Sequence, residues 1–496
     1  MDDPIRESGP HLAELLDLDG EGPLYRQISD ALRRAVDRGE IPLGTILPPE
    51  RTLAAALSVS RATVVTAYER LKADGWLESR QGSGTWVRRP EAGATSTADA
   101  ASTSRLFITD RAETPTPPPV RAEDDIVDLS VAAVMGTPTV VDVLSSVTVA
   151  DAAALTTQHG YAPAGLRELR RHVAERLSRQ QVPTIDDQVV ITTGAQQAIW
   201  LLARQHVKAG ETVLVESPTF PGALDAFRAI GARLVPLPVD EQGVRSDLLA
   251  DLVERLQPRM LYLTPHFHSP TGAVLPPDRR AEIADLAARS RLPVVEDHVL
   301  AEVNLDEGPT PPPIAAAAPQ APIHTVGSTA KLFWAGLRVG WVRVPESEAA
   351  GTLAAKTVSD FGTSMLTQLL ALRLLERLDD VVAERREELV PQRDLLCRLL
   401  SEHLPEWSWR RPTGGLSLWV ELPDGNADEF SEVARRHGVA VVPGTALSVD
   451  EGNRRGLRVV YARPTEAIAE GVRRLAAAWH SYAPRGHTRP VSRLLV

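Results

Sequence analysis

Lys331 lies in the run Gly327-Ser328-Thr329-Ala330-Lys331-Leu332-Phe333-Trp334-Ala335-Gly336-Leu337-Arg338. It is one amine between a hydroxyl three residues before it and a guanidinium seven residues after it. The flanks are mostly apolar, and burial disfavours the ammonium form of a lysine. A neutral amine beside an anion-binding pair is what a Schiff base with a phosphorylated aldehyde requires. Taken alone, the run also fits a surface lysine after a strand. Other residues bear on the choice. Thr192-Thr193-Gly194-Ala195-Gln196 follows an apolar strand and opens a helix, where exposed N–H groups and the helix dipole suit a phosphate. Ser328 and Arg338 would close that cup. Asp297 ends the strand Pro293 to Glu296; a charged carboxylate there reaches a pyridine ring in the cleft and keeps the ring nitrogen protonated, so that the ring becomes an electron sink. Phe220, in Ser217-Pro218-Thr219-Phe220-Pro221-Gly222, could stack on that ring. Each also has a plainer reading: a common β–α turn, a cap or ion-pair partner, a packed aromatic.

The elements that must position these groups are visible as patterns. Val189 to Thr192, Thr212 to Val215, Met260 to Leu263 and Pro293 to Glu296 are near-continuous apolar strands separated by amphipathic helices, the pattern of a parallel sheet covered on both faces. At 496 residues the chain exceeds one ordinary core, so two or more domains are expected. Composition shifts over 90–125, through Pro90-Glu91-Ala92-Gly93 and Thr114-Pro115-Thr116-Pro117-Pro118-Pro119, to a small, polar, proline-rich linker. As a flexible coil it spans roughly 30–35 Å. The expected pieces are 21–89, the linker 90–125, an α/β piece over 126–482, and a loose basic tail over 483–496. With 43% hydrophobic residues, no long apolar run and an acidic start, the reading expects a cytoplasmic protein without a membrane segment or signal peptide. The single cysteine, Cys397, excludes an internal disulfide framework and any multi-cysteine metal site; no metal is expected.

The net charge of −11 argues against a chain coated with nucleic acid along its length, but it conceals a local basic face. Residues 51–89 carry seven basic side chains (Arg51, Arg61, Arg70, Lys72, Arg80, Arg88, Arg89) against three acidic ones (Glu69, Asp74, Glu78). Leu24 to Leu32 has helical periodicity. A second helix follows from Pro49 to Leu57. After the break Ser58-Val59-Ser60 a third begins, with Ser60 as N-cap and Gly75 as stop. Two helices joined by a three-residue turn form a helix-turn-helix, whose second helix enters the major groove with its N-terminal residues leading. Trp76 to Arg80 and Thr85 to Val87 flank Gln81-Gly82-Ser83-Gly84 as a hairpin or wing.

Leu47-Pro48-Pro49-Glu50-Arg51-Thr52-Leu53-Ala54, Val59-Ser60-Arg61-Ala62-Thr63-Val64 and Gly75-Trp76-Leu77-Glu78-Ser79-Arg80-Gln81-Gly82 resemble the GntR-family winged helix. By that resemblance Arg51, Ser60, Arg61 and Thr63 face double-stranded DNA from the helices, and Arg80, Gln81 and Gly82 from the wing. The order Tyr161, Gly194-Ala195-Gln196, Phe220, Ser269-Pro270-Thr271-Gly272, Asp297, Lys331, Arg338, Arg458 resembles the fold-type I aminotransferases of class I/II, with large and small subdomains. The whole chain is similar to the MocR subfamily of GntR regulators. The resemblance implies pyridoxal 5'-phosphate held on Lys331 as a Schiff base. It pairs Asp297 with the pyridine nitrogen, puts Ser328 and Arg338 on the phosphate, and has Tyr161 reach the phosphate across the interface of a domain-swapped homodimer. Arg458 matches the position that clamps a substrate α-carboxylate, for which a bidentate arginine is suited. Three departures stand out. Ser269 replaces an asparagine that donates to the cofactor's phenolic oxygen, Val299 and Leu300 stand where a tyrosine is usual, and Ala330 replaces a serine. Without the first two donors the Schiff-base pKa rises. The resulting expectation is a transcription regulator that senses pyridoxal phosphate, an amino acid effector, or both, with weak or no transaminase turnover. The alternatives are a working aminotransferase with a DNA-binding appendage and a cofactor-free dimerisation scaffold. No Gly-x-Gly-x-x-Gly follows a strand, which disfavours a nicotinamide site.

Overall fold

A computed structural model describes residues 9–16, 18, 24–37, 40–42, 45–57, 59–73, 76–80, 84–87, 126–157, 159–306, 308–450 and 452–482. The chain divides into two compact units, Met1–Leu106 and Phe107–Val496. The expected linker over 90–125, the tail over 483–496, the helix stop Gly75 and the wing residues Gln81 and Gly82 lie outside the described residues.

In the first unit the helices Leu24–Asp37, Glu50–Ala56 and Arg61–Ala73 pack on a three-stranded antiparallel sheet. Ile28, Leu32, Leu53, Val64, Tyr68 and Leu71 fill its core. The first helix runs past Leu32 to Asp37 because Ala35 continues its buried face. Tyr68 donates its hydroxyl to the Pro48 carbonyl at 2.9 Å, which ties the third helix to the start of the second. The wing strands Leu77–Arg80 and Gly84–Val87 pair as expected, and Ile46–Leu47 adds a third strand beside Gly84–Val87. Two residues are too few for period-two alternation to announce. The core also takes in Leu12 and Leu16, from the helix Gly9–Leu15 and the residue after it. This compact unit therefore begins before residue 21.

The second unit is organised by an eight-stranded sheet. Its strands, in spatial order, are Val189–Thr192, Gly340–Arg343, Ile323–Ser328, Val294–Asp297, Met260–Leu263, Thr212–Ser217, Arg233–Asp240 and Gly243–Val244. Alternate residues of one strand enter two different cores: Val189 and Ile191 one, Val190 the other. Leu261 and Leu263 against Met260 and Tyr262 repeat the pattern. Burial of both faces is why these strands read as unbroken apolar runs. The sheet is not wholly parallel, however. Gly340–Arg343 runs against both neighbours, and Gly243–Val244 against Arg233–Asp240. A 26-residue helix, Leu378–His403, precedes a smaller four-stranded antiparallel sheet that includes Ser417–Glu421 and Gly456–Val460. Among the described residues, no single helix is long and apolar enough to cross a membrane.

Candidate functional site

The strands Val189–Thr192, Val294–Asp297 and Ile323–Ser328 point the same way, so their C-terminal ends share one edge, where ligands of open α/β sheets bind. At that edge Gly194 turns the chain with φ of 125°, a backbone state that an L side chain rarely adopts, and the helix Ala195–His206 begins. A Cβ on Gly194 would stand 3.2 Å from an Arg338 Nη. The guanidinium is delivered there because Gly340 pairs with Thr192, two residues before Gly194. Ser328 ends its strand, and its Oγ accepts the Ala330 N–H at 3.2 Å. Gln196 donates to the Gly222 carbonyl at 2.6 Å, which joins the helix start to the turn that carries Phe220. Phe220 itself is half-buried and packs on the core behind that turn.

Asp297 is buried at the end of its strand. Its Oδ1 accepts the Val299 N–H at 2.9 Å and its Oδ2 the Tyr262 hydroxyl at 2.7 Å. Burial pushes the Asp297 carboxyl above the usual carboxylate range, while these two donors, His298 and Lys331 pull it back. Lys331 is half-buried, and its Nζ donates to the Ala132 carbonyl at 2.5 Å. Arg458, 4% exposed on the strand Gly456–Val460, donates to the Ser130 carbonyl at 2.6 Å. Lys331 and Arg458 thus grip one short segment, which Arg463 also holds through the Asp128 and Val131 carbonyls. Tyr161 is 69% exposed, with its ring 5.9 Å from that of Phe361. Ser269 is half-buried just before Pro270, and Leu300, at 8% exposure, brings no polar atom. Tyr262 is the residue that sequence reasoning passed over. It is a hydroxyl in an apolar strand, paired with Val295 and therefore on the same sheet face as Asp297.

The donor set fits pyridoxal phosphate. A glycine turn at a helix start under an arginine suits a dianionic phosphate. A buried carboxylate pushed upward by its surroundings is stabilised by a cationic ring N–H, and an amine stands near enough to act on that carboxylate.

In the first unit, Arg51, Ser60 and Arg61 are exposed and Thr63 is half-buried in the first turn of the third helix. Ser60 caps that helix: its Oγ accepts the Thr63 N–H at 3.1 Å and lies 2.7 Å from the Thr63 hydroxyl. Arg80 ends its wing strand. Separate outcomes follow for two neighbours. Ser60→Ala is expected to cost about 1 kcal/mol of domain stability, read as a lowered Tm. Arg61→Ala is expected to leave Tm in place, to weaken binding to all duplexes, and to reduce the salt slope by about 1.

Residues 125–475 match the model for aminotransferase class I and II, and residues 24–87 match bacterial regulatory proteins of the gntR family. The chain is 28% identical to the uncharacterized HTH-type transcriptional regulator YdfD of Bacillus subtilis, over 93% of this chain and 98% of that one. It is 29% identical to the probable rhizopine catabolism regulatory protein MocR of Rhizobium meliloti, over 94% and 95%. Among solved structures it resembles LysN, the alpha-aminoadipate aminotransferase of Thermus thermophilus, determined with N-(5'-phosphopyridoxyl)-L-leucine. The TM-score is 0.65 at 29% identity, covering 76% of this chain and 98% of that one. The chain belongs to the aminotransferase class I and II family, whose fold implies pyridoxal phosphate as cofactor, and with its GntR domain in front it is a member of the MocR subfamily of transcription regulators.

Proposed function

We propose that this protein is a cytoplasmic, homodimeric DNA-binding regulator that holds pyridoxal phosphate on Lys331 and reports the cofactor, an amino acid effector, or both, to its winged helix. The observation that carries the reading is the pair of contacts from Lys331 to Ala132 and from Arg458 to Ser130. The two residues assigned to the cofactor and to an α-carboxylate hold the same segment. Bound at the site, pyridoxal phosphate supplies an electrophilic carbon and an electron-withdrawing ring. Ala195 and Gln196 at the helix start, with Ser328 and Arg338, would hold the phosphate, and Phe220 would flank the ring. Asp297 keeps a proton on the ring nitrogen, and Tyr262 fixes the orientation of that carboxylate. An incoming α-carboxylate takes Arg458 from the Ser130 carbonyl, and an incoming amine competes for the cofactor with Lys331. Loss of the Arg458 contact, and engagement of Lys331 by the cofactor in place of Ala132, each release the segment around Ser130, which lies just after the 90–125 stretch in the chain. A ligand that favours the released arrangement shifts the equilibrium by its differential affinity and by no more. The homodimer is supported by an exposed apolar face: Tyr161 and Phe361 lie ring to ring, with Val358 three residues before Phe361.

Transamination is expected to be slow, since Leu300 brings no donor and Ser269 is shorter than asparagine. The test is DNA binding by the full chain, followed by anisotropy on a selected duplex with and without pyridoxal phosphate and each amino acid. A change in affinity of about fivefold or more, the low end of ordinary coupling energies, is expected. Affinity indifferent to cofactor and to every amino acid would contradict the reading. Rapid turnover of an amino acid with a keto acid would favour the enzyme instead.

A further inference from the structure

The helix that opens at the phosphate turn ends at His206, roughly 17 Å away along its axis. There His206 meets His324, the second residue of the strand Ile323–Ser328, and Glu348, the last residue of the short turn Glu346–Glu348. The Nε2 atoms of His324 and His206 lie 2.7 and 3.0 Å from the same Glu348 oxygen, and the two rings meet edge to face at 4.9 Å between centroids. All three ligand atoms lie within 4.8 Å of one another. None of these residues takes part in the cofactor site.

Protonation states make the arrangement informative. His324 is fully buried, and its Nδ1 lies 3.3 Å from the Val294 carbonyl. A carbonyl only accepts, so Nδ1 carries its proton. In the neutral ring Nε2 is then a lone pair aimed at a carboxylate oxygen 2.7 Å away. Either a second proton or a metal cation makes that contact favourable. The buried Nε2 of His206 meets the same Glu348 oxygen at 3.0 Å as an ion-pair contact, outside good hydrogen-bond geometry. A ring N–H donated to a backbone carbonyl, with the other nitrogen aimed at a shared centre, is the usual support of a metal-binding histidine. Gln205 adds a further contact on the Glu348 oxygen at 3.3 Å.

We propose that His206, His324 and Glu348 bind one transition-metal ion of the zinc class, with a fourth position left for water. Two imidazoles and a carboxylate suit zinc, cobalt or nickel rather than calcium or magnesium. Donor atoms around a tetrahedral zinc stand about 3.3 Å apart; the two contacts to Glu348, at 2.7 and 3.0 Å, open by a few tenths of an ångström to reach that spacing, and the trio, now within 4.8 Å, draws in to it. The ion would fasten the far ends of the helix and strand whose near ends carry Ala195 and Ser328.

The test uses the full chain, stripped with a chelator and titrated with Co2+, the visible d–d bands serving as readout and Zn2+ as competitor. One tetrahedral Co2+ per chain is expected, displaced by Zn2+. Glu348→Gln and His206→Ala, the two less buried ligands, should each weaken binding at least tenfold and abolish the Zn2+-dependent rise in Tm, with far-UV circular dichroism unchanged. X-ray absorption on the wild-type zinc complex, expected to show two imidazoles, keeps the test independent of the variants' folding. No Co2+ binding by wild type would overturn the proposal and leave the trio as a buried ion pair. Unchanged affinity in both folded variants, or absorption spectra without imidazole, would overturn it by putting the metal elsewhere.

Discussion

Arg338→Ala should weaken pyridoxal phosphate binding by roughly 100-fold while leaving the fold intact. A charge-assisted hydrogen bond contributes about 1.5–3 kcal/mol, and an arginine fork can place two on one phosphate. A loss near 3 kcal/mol corresponds to about 100-fold in Kd. The side chain is exposed, and the strand Gly340–Arg343 that delivers it is held by its own ladder, so Tm without cofactor should move little. Arg338→Lys should recover part of the affinity, because a point charge replaces a fork. Cofactor titration by fluorescence or absorbance, beside a melting curve, measures both quantities. Wild-type affinity in Arg338→Ala would remove this residue from the phosphate site.

Asp297→Asn should act in opposite directions on the empty and the loaded protein. Burial raises the Asp297 carboxyl above its unfolded value, so ionising it costs stability in the fold. That cost is absent below the ordinary carboxylate range, near pH 4, and grows as pH rises through the raised value. Asparagine removes it. Without cofactor the variant should be at least as stable as wild type at pH 7, with the difference closing toward pH 4. With cofactor the sign reverses, because the ring nitrogen loses its anionic partner; affinity should fall by about 10- to 100-fold, equivalent to one charge-assisted hydrogen bond. Melting curves against pH, with and without pyridoxal phosphate, separate the two effects. A variant destabilised to the same degree in both forms would make Asp297 a structural group only.

Features that depend on neighbouring residues are legible in the sequence. The Ser60 cap, the alternation of Val189 and Val190 beneath an apolar run, Asp297 at a strand end and the glycine turn before Ala195 each follow from a few adjacent side chains. What escaped depends on pairing between distant segments. Tyr262 reaches Asp297 only through the register of two strands, and the reversal of Gly340–Arg343 follows from its neighbours in the sheet. The grips of Lys331 on Ala132 and of Arg458 on Ser130 cross 199 and 328 residues of chain. The His206, His324 and Glu348 convergence is of the same kind, three single residues with no motif between them. The helix Gly9–Leu15 escaped for another reason: about two turns with Leu12 and Leu16 have too few apolar positions to show a period.

The most direct measurement is borohydride reduction of the purified full chain with pyridoxal phosphate, followed by peptide mapping, for wild type and Lys331→Ala. The account predicts a visible absorbance band in wild type, bleached on reduction, with the phosphopyridoxyl label on Lys331, and neither band nor label in the variant. Equal spectra for the two proteins, or a label spread over surface lysines, would contradict it and leave the aminotransferase unit a scaffold that does not hold the cofactor through Lys331.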